Sequence, residues 1–375
     1  MLRTEPVVFV LHDTYHIMVQ TTEDSLMWVK VGDEVYYDAW NGVIRSMTRV
    51  HRMIVPREEL DLACQYTICE RKIVERKAYY TETEVEKETT FQFRPVKGGN
   101  LRCYHISDAH NKEDEPIAAA KAYGKIDFLI MNGDIVSSND EIKDFDSIYR
   151  IAYEVTKGEI PIVFSRGNHD LRGKYAEILA EYTPNENGNT YYTFRLGNIW
   201  GMVLDCGEDK DDCRPEYGNT ICCHSFRKKE TEFIKRVIAQ KEYMDDGIVW
   251  KVIIVHIPFT VVKTSIFDIE RDIFTEWAKL LKENVKPDIM ICGHEHKLRV
   301  IEPEGEGDEL GHPCPIIIGA KVSHSDTFFA GTGIEFSDKK ITATFTDNQG
   351  REEKWEINYG KDTSYGFKCW AGKTS

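Results

Sequence analysis

Asp108, His110, Asp134, Asn168, His256, His294 and His296 are the residues whose types and spacing could do chemistry together. Each follows a short apolar run. "LRCYHI" leads to Asp108 and His110, "IDFLIM" to Asp134, and "PIVFS" to Asn168 with His169 beside it. "KVIIV" leads to His256, and "DIMIC" to the two histidines of "GHEH". Their donors are carboxylate, amide oxygen and imidazole, with no thiolate among them. Seven such donors are too many for one tetrahedral zinc ion. They suit two first-row divalent ions about 3.5–4 Å apart, with one carboxylate shared between them. Mixed N/O ligation fits Mn2+, Fe2+/Fe3+ or Zn2+. Singly, a strand-end aspartate is usually a helix cap, and a lone histidine a hydrogen-bonded structural group. Recurrence at the end of strand after strand is what points to a metal centre. His294 and His296 would face opposite sides of a continuing strand; on a turn, each can face a different ion.

From residue 101 the chain alternates strand, loop and helix. Besides the runs above, "IWGMVLD" and "PIIIGA" read as strands. Ile142, Phe145, Ile148, Ala152 and Val155 fall on one helical face within 141–158; Phe267, Ile273, Phe274, Trp277, Leu280 and Leu281 do so within 267–284. Short apolar strands between amphipathic helices indicate an α/β core, and such sheets place their sites at the C-terminal ends of the strands. After 297 the chain turns β-rich, with a hairpin expected about Asn348 to Gly350, while "EPEGEGDELG" reads as a solvated loop.

Residues 1–98 read differently. "VVFVLH", "YHIMVQT", "EVYYDA", "QYTICERKIV" and "TTFQFRP" are strand-like, Asn41-Gly42 favours a tight hairpin, and no segment repeats at helical period. A small all-β sandwich domain over 1–98 is the expectation, joined by "PVKGGN" to a second domain over 99–375.

The 375 residues carry a net charge of −15 and 41% apolar side chains, as in a globular protein. That charge argues against a nucleic-acid track, which starts from a basic surface. No stretch resembles a signal peptide or a membrane span. With ten cysteines, the expectation is reduced thiols and a cytoplasmic location.

The blocks "DAH", "GDIV", "GNHD", "VHIP" and "GHEH", in this order, resemble the motifs of the calcineurin-like metallophosphoesterase superfamily over residues 101 to 345. The resemblance implies a four-layer α-β-β-α sandwich and a dinuclear centre. It implies Asp108, His110 and His296 on one ion and Asn168, His256 and His294 on the other, with Asp134 bridging. His169 corresponds to a substrate-facing histidine rather than a ligand. The segment from Val50 to Tyr80 with "TTFQFRP" is similar to the fibronectin-like domain that precedes the catalytic domain in purple acid phosphatases. That group has D-x-G in the first block and a tyrosine three residues after the G-D aspartate, where this chain has His110 and Ser137. A tyrosinate-bound ferric ion is therefore not expected. Nor does "GDIVSSN" reproduce the G-D-x-x-D-R-G of phosphoprotein phosphatases.

The implied activity is hydrolysis of a small-molecule phosphate ester, mono- or diester, by hydroxide held between the ions, with His169 aiding the leaving alkoxide or the equatorial oxygens. Arg172 could clamp a phosphate through its guanidinium; the alternative is an ion pair with a loop carboxylate. The loop 205–224 holds Cys206, Cys213, Cys222, Cys223 and His224 without zinc-type spacing and reads as a rim shaping substrate choice. Rival readings are a nuclease or nucleotidase of the same superfamily, or a binding protein with an inactive metal site.

Overall fold

The computed structural model describes residues 2–305, 307–323, 326–337, 340–358 and 368–371. Alternation along single strands assigns its layers. In Phe128–Asn132, Phe128 and Ile130 face one core and Leu129 and Met131 another. In Trp250–Val255, Val252 and Ile254 join the same core as Phe128, while Ile253 and Val255 face a third. The shared core lies between two sheets, and the other two lie under helices. Asp114–Tyr123 and Asp146–Thr156 bury Ile117, Ile148 and Ile151 against the outer face of one sheet. Cys223–Gln240 and Arg271–Leu280 bury Phe233, Ile234, Phe274 and Trp277 against the other. This is the expected α-β-β-α sandwich. The second amphipathic helix starts at Arg271, so Phe267 lies ahead of it, and it ends in a π turn over Leu281–Val285.

In the larger sheet Leu101–Ile106, Phe128–Asn132 and Ile162–Ser165 are parallel neighbours. In the smaller one Ile199–Leu204, Trp250–Val255, Ile289–Cys292 and Ile316–Gly319 are parallel in that order. Lys340–Asp347 and Glu352–Asn358 form the expected hairpin.

The described residues 2–98 are all β except for the short helix Arg57–Ala63, which hydrophobic periodicity did not mark. They form two facing sheets, but one of them is not their own. Val7–Leu11 pairs in parallel with Ile162–Ser165, Phe9 opposite Ile162, and Thr14–Gln20 and Val50–Pro56 continue outward from it. Met27, Val29, Tyr66 and Ile68 of the covering sheet share one core with Val8, Val10, Val252 and Ile254. Hydrogen-bonded sheet and apolar core both run across the expected boundary at 98/99. Asn41 and Gly42, both at positive φ (49° and 81°), close the expected hairpin between Ala39–Trp40 and Val43–Ile44. No helix among the described residues is long and apolar enough to cross a membrane.

Candidate metal centre

The C-terminal ends of five strands, three from the larger sheet and two from the smaller, converge on one cleft, and hydrogen bonds between the sheets fix their approach. Buried Asn132 donates from Nδ2 to the carbonyls of Val255 (3.3 Å) and Ile291 (3.1 Å). Its own carbonyl accepts from His256 Nδ1 at 2.7 Å. Both oxygens of Asp108 accept the His294 amide, at 3.1 and 2.9 Å. Gly293 makes that approach possible, since a Cβ there would sit 1.9 Å from Ser107 Oγ. Gly133 is similarly constrained, at φ +74° and with space for a Cβ taken by the Gly167 amide 2.5 Å away.

Backbone strain is concentrated here. Asp108, His110, Asp134, His294 and His296 all adopt left-handed φ, between 48° and 69°. Such a conformation costs a non-glycine residue about 1–2 kcal/mol, and it persists only where the surroundings enforce it. The two histidines of "GHEH" turn at successive left-handed positions around Glu295, which is held by Lys263 and Arg299. Their rings consequently reach different neighbours.

His296 Nε2 lies 3.3 Å from Asp108 Oδ1 and 3.1 Å from His110 Nε2. His294 Nδ1 lies 3.0 Å from Asn168 Oδ1, and its ring stands edge to face with His256 at 5.5 Å. His256 Nε2 is 3.1 Å from Asp134 Oδ2 and 3.9 Å from Asp108 Oδ1. Donor atoms of Asp108, His110 and His296 all lie within 4.8 Å of one another, as do those of Asp134, His256 and His294, and those of His110, Asp134 and His169. The seven donors singled out in the sequence, with His169, thus come together at one place.

The electrostatics fit a cation. Asp108 and Asp134 are buried carboxylates. Burial, the largest single influence, would raise their pKa values, but His256 acting with His296 on Asp108, and with His169 and His110 on Asp134, holds both below the ordinary range. Burial likewise works against a charge on His256, yet Asp134 and Asp108 push its pKa up to about 10. Its Nδ1 carries hydrogen toward the Asn132 carbonyl, which turns the buried Nε2 to the carboxylates, 3.1 Å from Asp134 Oδ2. A backbone carbonyl fixing the tautomer of a ring whose other nitrogen faces carboxylates is the usual setting of a metal-binding histidine. Burial pushes the His110 and His294 pKa values down to about 4, leaving both rings neutral at ordinary pH.

His169 lines the same cleft. Its Nδ1 donates to the Ser137 carbonyl at 2.8 Å, and its Nε2 accepts from Arg172 Nη1 at 2.9 Å. Arg172 is otherwise committed: Nε and Nη2 donate to the two oxygens of Glu208 at 2.7 and 2.9 Å. The guanidinium face that would fork onto a phosphate is taken by a carboxylate from the 205–224 loop. Arg166 pairs with Asp205 at 2.7 Å, outside the cleft lining. Among the described residues the cysteines of that loop form no ligand group; the loop instead brings Asp209 and Lys210 to the cleft.

Three supporting residues escaped the sequence reading. Asn132 looked like a loop residue after the strand "IDFLIM", and Glu208 like one acid among many. Asp170, the fourth letter of "GNHD", is buried and accepts the amides of Asp134 (3.1 Å) and Gly167 (2.7 Å). Burial, reinforced by Asp134, raises its pKa to about 7. A buried acid inside a motif was the available signal.

Comparison with known proteins agrees with this geometry. A purple acid phosphatase, PPD1, from yellow lupin (Lupinus luteus) seeds superposes with a TM-score of 0.59 at 14% identity, over 96% of this chain and 75% of its own. A structure of PhoD gives 0.57 at 12% identity, over 99% of this chain and 92% of its own. At such identities the likeness is one of fold. No curated protein matches the sequence. The calcineurin-like phosphoesterase family model matches residues 101–298, the span that supplies every residue of the cleft described above except Arg299 and Gly307. The chain belongs to the calcineurin-like phosphoesterases, metal-dependent hydrolases of phosphoesters.

Proposed function

We propose that this chain hydrolyses small-molecule phosphate esters, mono- or diesters, at a pair of divalent ions, Mn2+, Fe2+/Fe3+ or Zn2+. The observation that carries the reading is that the donor atoms gather around two centres, Asp108–His110–His296 and Asp134–His256–His294, joined by a third overlapping group in which Asp134 meets His110 and His169. In this reading the first group would hold one ion, His256 and His294 with Asn168 would hold the second, and Asp134 would serve both. Bound there, the ions supply an activated water and neutralise the ester oxygens. The chain's own residues do the rest. Ser137 and Arg172 orient His169, whose Nδ1–H is committed to the Ser137 carbonyl; Nε2, once it lets go of the Arg172 N–H and takes a proton from solvent, is the atom that delivers that proton to the leaving alkoxide. That help is worth ~10²–10⁴-fold. Arg172, held by Glu208, is a positioning residue for His169 rather than a phosphate clamp. All of these side chains come from 99–375, and we assign 1–98 the work of bracing the larger sheet.

The small-molecule reading is supported by how the basic residues of the cleft are used. Lys263 and Arg299 both bind Glu295, Arg172 binds Glu208 and Lys210 pairs with Glu216 at 3.4 Å, which leaves Lys297 as the one cleft cation without a carboxylate partner among the described residues. A polyanion track needs such cations free. Electron paramagnetic resonance of the Mn2+-loaded protein tests the pairing of ions: an exchange-coupled multiline spectrum is expected, and only the six-line signal of isolated Mn2+ would overturn it.

A further inference from the structure

Resting on the phosphoesterase reading above, we propose that the organic part of the ester is uncharged and apolar, and that it seats in the pocket walled by Ile257, Pro258, Phe259, Val261, Ile269 and Phe274 beside the metal cleft. The pocket is continuous with the cleft: His294, Lys263, Val262 and Asp209 line both. Its wall begins at the residue after His256, one of the proposed ligands. A substituent on phosphorus therefore enters it directly from the reacting centre.

The cleft encloses about 600 Å3 and the pocket about 40 Å3. At roughly 10–15 Å3 per water-sized position, the pocket takes a short alkyl chain or the edge of a ring. Its floor is rigid. Phe259, Phe274 and Trp277 pack against each other with ring centroids 5.5–5.6 Å apart. The mouth is pinned where Lys210 Nζ sits 5.5 Å from the Phe267 ring centroid and 5.9 Å from that of Tyr217, joining the 205–224 loop to the segment after His256. A preformed apolar wall of this kind binds without an ordering cost.

The charges at the mouth select against a second anionic group. Lys263 is taken by Glu295 and Arg172 by Glu208. Asp209, which lines pocket and cleft alike with its carboxylate 3.9 Å from His294 Nε2, would meet a second phosphate or a carboxylate entering the pocket with like charge. An apolar substituent meets no such penalty, and each methylene buried should raise kcat/KM about fourfold.

The test uses the full Mn2+-loaded chain and n-alkyl phosphates from methyl to hexyl, whose leaving alcohols differ little in basicity. The matching n-alkylphosphonates, which cannot be cleaved, are titrated by calorimetry, and p-nitrophenyl phosphate and bis-p-nitrophenyl phosphate serve as activity controls. Affinity, and kcat/KM where the esters are cleaved, should climb about fourfold for each of the three carbons added from methyl to butyl, roughly 60-fold in all, then level off. Leu310→Trp, which fills the pocket from its outer wall, should flatten the climb. Phe267→Ala, a change at a half-exposed rim residue, should move the plateau to longer chains and serves if the first variant does not fold. A flat series with active controls overturns the pocket and leaves the phosphoesterase reading standing. Inactive controls with phosphonate affinities that still climb overturn the activity and leave the pocket standing. Inactive controls with a flat series overturn both.

Discussion

Metal uptake should expel a proton, and the structure says from where. His256 stands between Asp134 and Asp108, its pKa pushed up to about 10, so without metal the ring is charged throughout the ordinary pH range. The gap from the ordinary 6.5 corresponds, at 1.36 kcal/mol per pH unit, to on the order of 5 kcal/mol. That energy belongs jointly to the ring and the two carboxylates. The sign follows. The folded-state value is raised, so this stabilisation is complete below pH 6.5 and is lost as pH rises through about 10. A cation held by Nε2 must displace the proton, so the apparent affinity of the second ion should rise about tenfold per pH unit between pH 8 and 9, where each ion bound releases one proton. His110 and His294, already neutral with pKa values near 4, contribute none there. Calorimetric titration of Mn2+ at pH 8 in buffers of different ionisation enthalpy reads the number directly: at least one proton per chain for the intact protein, and about one fewer for His256→Ala. Metal binding with no proton released at pH 8 would refute the account of how the buried carboxylates are neutralised.

His169→Ala should leave metal content unchanged and lower kcat by ~10²–10⁴-fold; loss of metal together with activity, seen by elemental analysis, would remove His169 from its role. Glu208→Ala leaves Arg172, whose side chain is 31% exposed, without its bidentate partner. A fully buried pair broken in this way costs about 3–5 kcal/mol, and partial exposure should reduce that to about 1–3 kcal/mol in chemical denaturation. Its kcat should fall roughly tenfold with metal retained, as an unpinned His169 loses orientation. A chain beginning at residue 99 would bare the edge of Ile162–Ser165 and the apolar face covered by Val8 and Val10. It should be insoluble, and a folded, monomeric product by circular dichroism and sizing would contradict the shared sheet.

The parts of the site that could be read from the sequence are those in which a local pattern carries the information. "IDFLIM" and "DIMIC" are buried runs broken by glycine and a polar residue, and a strand that must stop at a cleft leaves that trace whatever its neighbours are. Pairing leaves none. Val7–Leu11 is buried at all five positions, which marks a strand covered on both faces. It is less apt for an outer sandwich, yet nothing within it names Ile162 as the partner. The same limit hid Asn132, whose amide matters because two strand ends of the other sheet pass within 3.3 Å. Glu208 and Arg172 were both visible as charges. Their pairing depends on the loop folding back over the cleft, so an arginine suited to phosphate was found holding a carboxylate.

The most direct test of the central claim is the metal content of the purified, Mn2+-loaded chain, measured by mass spectrometry alongside hydrolysis of p-nitrophenyl phosphate and bis-p-nitrophenyl phosphate before and after chelation. The account predicts two ions per chain and cleavage that disappears with the metal and returns when it is restored. One ion or none under every loading condition, or cleavage indifferent to chelation, would contradict it.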